Sequence, residues 1–208
     1  MRLVTIGSGN IGKSIGAWAV KVGYDVTFTS RDLRRAEQAA TSAGKGAKAA
    51  LLKEALPSAD IVLLAVPYNA AAETVKGVRE FLRGKLVIDA TNPISSGSLV
   101  VGFTTSAAEE IAKTIPGAKV VKAFNTVFSK VLASQNPKIK DHPVSIFYAG
   151  DDKEAKAKTA ELISKMGFDA VDCGALTAAR TLEPLALLMV SLGYGMGLGQ
   201  SIGYTLLR

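Results

Sequence analysis

The sequence predicts an α/β fold: a doubly wound, mostly parallel sheet with a short C-terminal helical extension. Three observations predict it. An apolar β-type run, Leu3–Ile6, ends directly in Gly7-Ser8-Gly9-Asn10-Ile11-Gly12. Short apolar runs then alternate with helix-length stretches almost to the C-terminus. The 208 residues, 48% of them hydrophobic and 21% charged, suffice for one domain with a sizeable core.

The elements follow in order. Strands are expected at Leu3–Ile6, Asp25–Thr29, Ala47–Ala50, Ile61–Ala65, Leu86–Asp89, Ala118–Ala123, Val144–Ala149 and Ala170–Asp172. Helices are expected at Lys13–Val22, Leu33–Ala43, Ala70–Leu82, Ala107–Lys113 and Lys153–Lys165. Strands spaced by helices of this length read as βαβ units. Residues 174–208 read as a helical tail: a helix near Ala178–Leu192, a glycine-rich stretch and a short terminal helix. The tail is too small for a separate substrate domain, so residues 1–208 read as one domain, with the tail packing on the sheet or on a partner subunit.

The glycine run fits the strand-to-helix corner that cradles a dinucleotide, which makes the expected fold Rossmann-type. Gly7 permits the sharp turn, Gly9 lets a pyrophosphate approach the backbone, and Gly12 lets helix and strand pack closely. Ser8, Asn10 and Ile11 add phosphate contacts at the positive end of the helix. A purely structural glycine turn is the competing reading.

The second strand decides which dinucleotide. NAD-specific domains carry an Asp or Glu at its end to bind ribose hydroxyls. Here Val26-Thr27-Phe28-Thr29 ends in Ser30-Arg31. Arg31 has a planar fork suited to phosphate, and Arg35 lies one helical turn on. Asp32 follows the arginine and suits a helix cap. A 2′-phosphate is the simplest partner, so NADP(H) is the expected cofactor. The competing reading is a solvent-facing basic helix start. Other strand ends offer Val66-Pro67-Tyr68, Asn92 and Asn125. Tyr68 either faces the nicotinamide–ribose region or fills a core position. Asn92 and Asn125 either contact the cofactor or satisfy local turns and caps.

Composition bounds the rest. The net charge is +7, but the basic residues are scattered and no recognition motif accompanies them, so no nucleic-acid partner is expected. The run Leu182–Leu192 is shorter than the roughly 20 residues needed to span a membrane, so no membrane partner is expected. The N-terminus enters a core strand at once, which argues against a signal peptide. Cys173 is the only cysteine, and no metal-ligand cluster is visible, so a reducing cytoplasmic setting is expected and no metal.

Beyond the glycine corner and Ser30-Arg31, the chain carries Ala149-Gly150-Asp151-Asp152, Asp172-Cys173-Gly174-Ala175-Leu176, Ala179-Arg180 and Leu182-Glu183. With these features the whole chain resembles the NADP oxidoreductases that depend on the deazaflavin coenzyme F420. The resemblance implies that Ser8 to Ile11 hold the pyrophosphate, that Ser30, Arg31 and Arg35 hold the 2′-phosphate, and that Tyr68 contacts the cofactor. It also implies that Gly195-Met196-Gly197 lies by the deazaflavin side or a dimer contact. One segment departs: Asn125-Thr126-Val127-Phe128 stands where the family's deazaflavin reductases resemble His-Thr-Ile-Pro. Lys122-Ala123-Phe124-Asn125 also resembles the cytosolic NADPH domain of six-transmembrane ferrireductases.

The expected activity is hydride transfer between NADP(H) and a deazaflavin or flavin-type acceptor, coenzyme F420 or a flavin, by a homodimer. The single histidine, His142, reads as a surface residue, and no acid–base set stands out; Lys122 is the one exception to consider, and it precedes Asn125 at a strand end. Transfer between two rings needs mainly their close stacking. The alternatives are reduction of a small imine or carbonyl, which calls for a larger helical domain, and a non-catalytic NADP(H)-sensing module.

Overall fold

The computed structural model describes all 208 residues. The chain starts in β1 (Arg2–Ile6), continues through α1 (Asn10–Lys21), β2 (Asp25–Thr29), α2 (Leu33–Ala43) and β3 (Ala47–Ala49), and so completes a first βαβαβ half. Next come α3 (Leu52–Ala55), β4 (Ile61–Leu64), α4 (Tyr68–Lys76), α5 (Arg79–Leu82) and β5 (Leu86–Asp89). A small hairpin of β6 (Ile94–Ser95) and β7 (Ser98–Leu99) leads to α6 (Ala107–Thr114) and β8 (Lys119–Ala123). Then follow α7 (Ser129–Ala133), a second hairpin of β9 (Lys138–Ile139) and β10 (His142–Pro143), and β11 (Ser145–Gly150). The last elements are α8 (Lys153–Lys165), β12 (Asp169–Asp172) and α9 (Ala179–Val190).

Eight strands form one sheet in the order β12-β11-β8-β5-β4-β1-β2-β3. The six from β8 to β3 run parallel, in the doubly wound order that reverses between β1 and β4. β11 lies antiparallel to β8, and β12 runs with β11. The apolar runs are continuous because helices cover both faces. Successive side chains enter opposite cores. Leu3, Ile61, Leu63 and Ile88 pack with Ile15, Trp18 and Phe28. Val4, Val62, Leu64 and Val87 pack with Ala71, Val75 and Ile111. Gly16 brings α1 against β2, because a Cβ there would collide with the Phe28 ring. Trp18, two residues on, ties α1 to α7: its indole N–H donates to the Leu132 carbonyl at 2.9 Å.

The structure corrects three expectations. The helix expected over Ala70–Leu82 is two helices, because the backbone leaves the helical region at Val78 (φ −135°, ψ 15°). The expected terminal helix is absent: Gly197 and Gly199 adopt φ of +71° and +76°, which ends the helical path. The extended tail returns to the sheet instead, where the Ser145 N–H donates to the Tyr204 carbonyl at 2.8 Å and the Tyr204 hydroxyl donates to the Leu185 carbonyl at 3.1 Å. Finally, a 3-10 turn before α9 and a π turn after it make Leu176–Gly195 one helical stretch of 20 residues. By length and composition alone that stretch is apolar enough to cross a membrane. Here α9 buries Ala179, Leu182, Glu183, Ala186 and Met189 against the domain. Periodicity also missed both hairpins, α3 and α7, which are too short to show a repeat.

Candidate functional site

The three glycines of the β1–α1 corner differ in what demands them. Gly7 sits at φ +103°, and a Cβ on it would come within 2.6 Å of the Ala65 carbonyl oxygen. A Cβ on Gly12 would collide with the Gly7 carbonyl oxygen. Around Gly9 nothing lies within 4 Å of the position a Cβ would take. Protein packing therefore requires the outer two glycines and leaves the middle one facing open space. Gly9 is also the N-cap of α1; no side chain caps this helix end, and its first turn holds no acidic residue. Its free N–H groups and positive dipole end suit an anion. The Ser8 hydroxyl donates to the Thr29 carbonyl at 3.0 Å and so ties the corner to the end of β2. Asn10 is exposed and Ile11 half-buried beside it.

Beyond β2 the structure sorts the charges. Asp32 caps α2 by accepting from the Arg34 N–H at 3.1 Å, and its carboxylate also lies 3.5 Å from the Arg34 guanidinium. Arg31 and Arg35 are exposed, and neither appears in any ion pair of the molecule. Ser30 is half-buried between them and the sheet. The only carboxylate in this segment is thus engaged locally, while two guanidinium groups stay free for an anion.

The ends of β4, β5 and β8 converge on a second cluster. Val66 and Pro67 follow β4, and Tyr68 is the first residue of α4. Asn92 and Asn125 come from segments 33 residues apart and hold each other. The Asn92 amide donates to the Asn125 carbonyl at 2.8 Å, and the Asn125 amide donates to the Asn92 side-chain oxygen at 3.1 Å. The same Asn125 amide donates to the Leu182 carbonyl of α9 at 2.9 Å. Neither asparagine is a helix cap. Just before Asn125, Phe124 is buried at φ +65°, a strained turn that costs about 1–3 kcal/mol and is typical of functional sites.

Three buried oxygens here have no hydrogen-bond partner: Oγ1 of Thr91, Oδ1 of Asn125 and Oγ1 of Thr126. Each such group costs about 1–3 kcal/mol when left unpaired, so the cluster has hydrogen-bonding capacity to spare. A carboxamide and ribose hydroxyls suit these atoms, and phosphates suit the glycine corner and the free arginines. The residues present therefore fit a phosphorylated nicotinamide dinucleotide. Burial raises the Tyr68 hydroxyl above its usual pKa, and the Glu183 and Glu110 carboxylates push it further the same way. The C-terminal segment closes in from one side: Tyr194 packs edge-on against Phe128 with ring centroids 5.6 Å apart, while Met196 is exposed.

Sequence reasoning missed the cluster beneath these residues. Lys122 and Asp89 face each other in register on β8 and β5, and the ammonium lies 2.9 Å from the Asp89 carboxylate. Glu183 of α9 completes the set at 2.8 Å from the same ammonium. All three side chains are fully buried. Burial alone would depress the Lys122 pKa, but the two carboxylates outweigh it and hold it above the ordinary value. A charge inside each of two apolar strands was the signal available; the part of Glu183 was not legible. His142 is exposed on the second hairpin, and burial pushes the half-buried Cys173 thiol up. Neither belongs to the site.

Known proteins resemble this chain in sequence and in shape. Residues 2–93 match the family model described as NADP oxidoreductase, coenzyme F420-dependent. An F420-dependent NADP reductase of Methanothermobacter thermautotrophicus is 32% identical over 92% of this chain and 89% of its own length. The rat metalloreductase STEAP3 is 30% identical over 89% of this chain, which spans 36% of that protein. A chain from Arthrobacter sp. FB24, provisionally assigned as an F420-dependent NADP reductase, superposes with a TM-score of 0.87 at 26% identity. That match covers 100% of this chain and 99% of the other.

Proposed function

The chain belongs to the coenzyme F420-dependent NADP oxidoreductase family and is an NADP-dependent oxidoreductase; on that premise we propose that it passes hydride between NADP(H) and a deazaflavin, coenzyme F420. The observation that carries the reading is the divided site along the carboxyl ends of the parallel strands. Free arginines lie at the β2 end, an open glycine corner at β1, and unpaired polar oxygens at the β5 and β8 ends.

Gly7, Gly9 and Gly12 shape the corner, and Ser8, Asn10 and Ile11 border the pyrophosphate. Ser30, Arg31 and Arg35 select the 2′-phosphate. Val66, Pro67, Tyr68, Asn92 and Asn125 surround the nicotinamide end. When bound, NADP(H) and the deazaflavin supply the hydride chemistry through their own rings. The protein contributes orientation, which is worth about 7–11 kcal/mol in favourable cases. Lys122 is locked by two carboxylates and is in no position to shuttle a substrate proton. Residues 1–208 act as one NADP-binding domain, with the tail from residue 174 packed on it. Exposed Phe103, Tyr194, Met196 and Leu198 support a homodimer, which sedimentation would test.

The deciding experiment follows NADPH consumption with F420, FMN, a ferric chelate and a small cyclic imine as separate acceptors. Turnover greatest with F420 is expected. Turnover on the ferric chelate or the imine alone would replace this reading, and tight binding with no turnover would make the protein a sensor.

A further inference from the structure

Building on the reading that the nicotinamide end lies along the β4, β5 and β8 strand ends, we propose that the buried Asp89–Lys122–Glu183 cluster makes the site prefer oxidised over reduced nicotinamide. Two carboxylates face one ammonium, so one negative charge is left over. The oxidised ring carries a positive charge and the reduced ring none. The two forms share every phosphate, so the glycine corner and the arginines contribute equally to both. The surplus charge therefore acts on the difference alone.

A network that merely fastened α9 to the sheet would need a single carboxylate. A second buried carboxylate adds a desolvation cost without another ammonium to offset it. The Glu183 carboxylate accepts from two backbone donors at the start of α6, the N–H groups of Ala107 at 2.9 Å and Ala108 at 3.2 Å. That helix end supplies only about half a positive charge, which leaves the cluster negative.

Placement gives the charge its target. Lys122 also donates to the Thr91 carbonyl at 2.7 Å, and Asp89 accepts from the Thr91 N–H at 2.9 Å. Glu183 follows Leu182, whose carbonyl holds Asn125. The cluster thus lies directly under the residues that carry the unpaired oxygens. Tyr68 lies in the same field: burial first, then Glu183 and Glu110, raise its hydroxyl, while Lys122 opposes them and Asp89 adds to them. Full burial removes the solvent and salt that would otherwise screen the effect.

Calorimetric titration of wild type, Asp89→Asn and Glu183→Gln with NADP+, NADPH and adenosine 2′,5′-bisphosphate tests this at low and high salt. Wild type should bind NADP+ at least as tightly as NADPH. Each variant should lose NADP+ affinity relative to NADPH by about fivefold or more, a change that high salt leaves in place. The bisphosphate should bind all three proteins alike. Tighter wild-type binding of NADPH, or an unchanged ratio in both variants, overturns the proposal; the wild-type ratio decides if the variants do not fold. Failure of wild type to retain any of the three ligands would instead refute the underlying cofactor site, and this proposal with it.

Discussion

Lys122 and Asp89 are register partners on adjacent parallel strands, joined at 2.9 Å, with neither side chain reaching solvent. The pair costs desolvation and is tolerated because Glu183, Thr91 and the α6 N-terminus satisfy every remaining polar atom. It also joins three parts of the chain, since α9 reaches the sheet through Glu183.

Removing the ammonium should therefore be severe. Lys122→Met leaves two buried carboxylates facing each other and is expected to cost about 3–5 kcal/mol in urea unfolding. Combining it with Asp89→Asn and Glu183→Gln should recover much of that loss. A triple variant no more stable than Lys122→Met alone would show that charge is not the cause.

The same lysine sets an alkaline limit. Its folded pKa lies above the ordinary value of 10.5, so its contribution is complete below 10.5 and disappears as pH rises through the folded value. Wild-type stability should hold to about pH 10 and then fall, a slope measurable by urea titration across pH. In the triple variant this component of the slope should vanish.

Specificity should rest on Arg31. A charged hydrogen bond to phosphate is worth about 1.5–3 kcal/mol, so Arg31→Ala should weaken NADPH roughly tenfold to a hundredfold and leave NADH nearly unchanged. Arg34→Ala should change little, because Asp32 already engages that side chain. Equal losses for both coenzymes in Arg31→Ala would remove it from the phosphate site.

The glycines should separate by function. Gly12→Ala collides with a backbone oxygen and should lower the melting temperature together with cofactor affinity. Gly9→Ala meets no protein atom and should melt like wild type, yet bind NADPH more weakly. Undiminished NADPH affinity in Gly9→Ala would mean that nothing approaches that backbone.

Tyr68 distinguishes two chemistries. Hydride passage between rings needs no proton from its hydroxyl, so Tyr68→Phe should keep most of the turnover with F420. Reduction of an imine by a Tyr68 proton would lose about a hundredfold or more in the same variant. Rates with both acceptors decide the matter.

The local sequence carried the two-core sheet, most helix limits and the sorting of Asp32 from Arg31. Each depends on neighbours a few residues apart: alternation along a strand, a cap at a helix start, glycines at a corner. Tertiary structure alone decided that Glu183 meets Lys122, that Asn92 meets Asn125, and that the tail runs extended along the sheet. It also decided that β11 and β12 run against the other strands. A charged residue in an apolar run reads the same whether its partner exists or not. Only the packing of segments tens of residues apart supplies that partner, so the glycine corner was legible in the chain and the buried charge cluster was not.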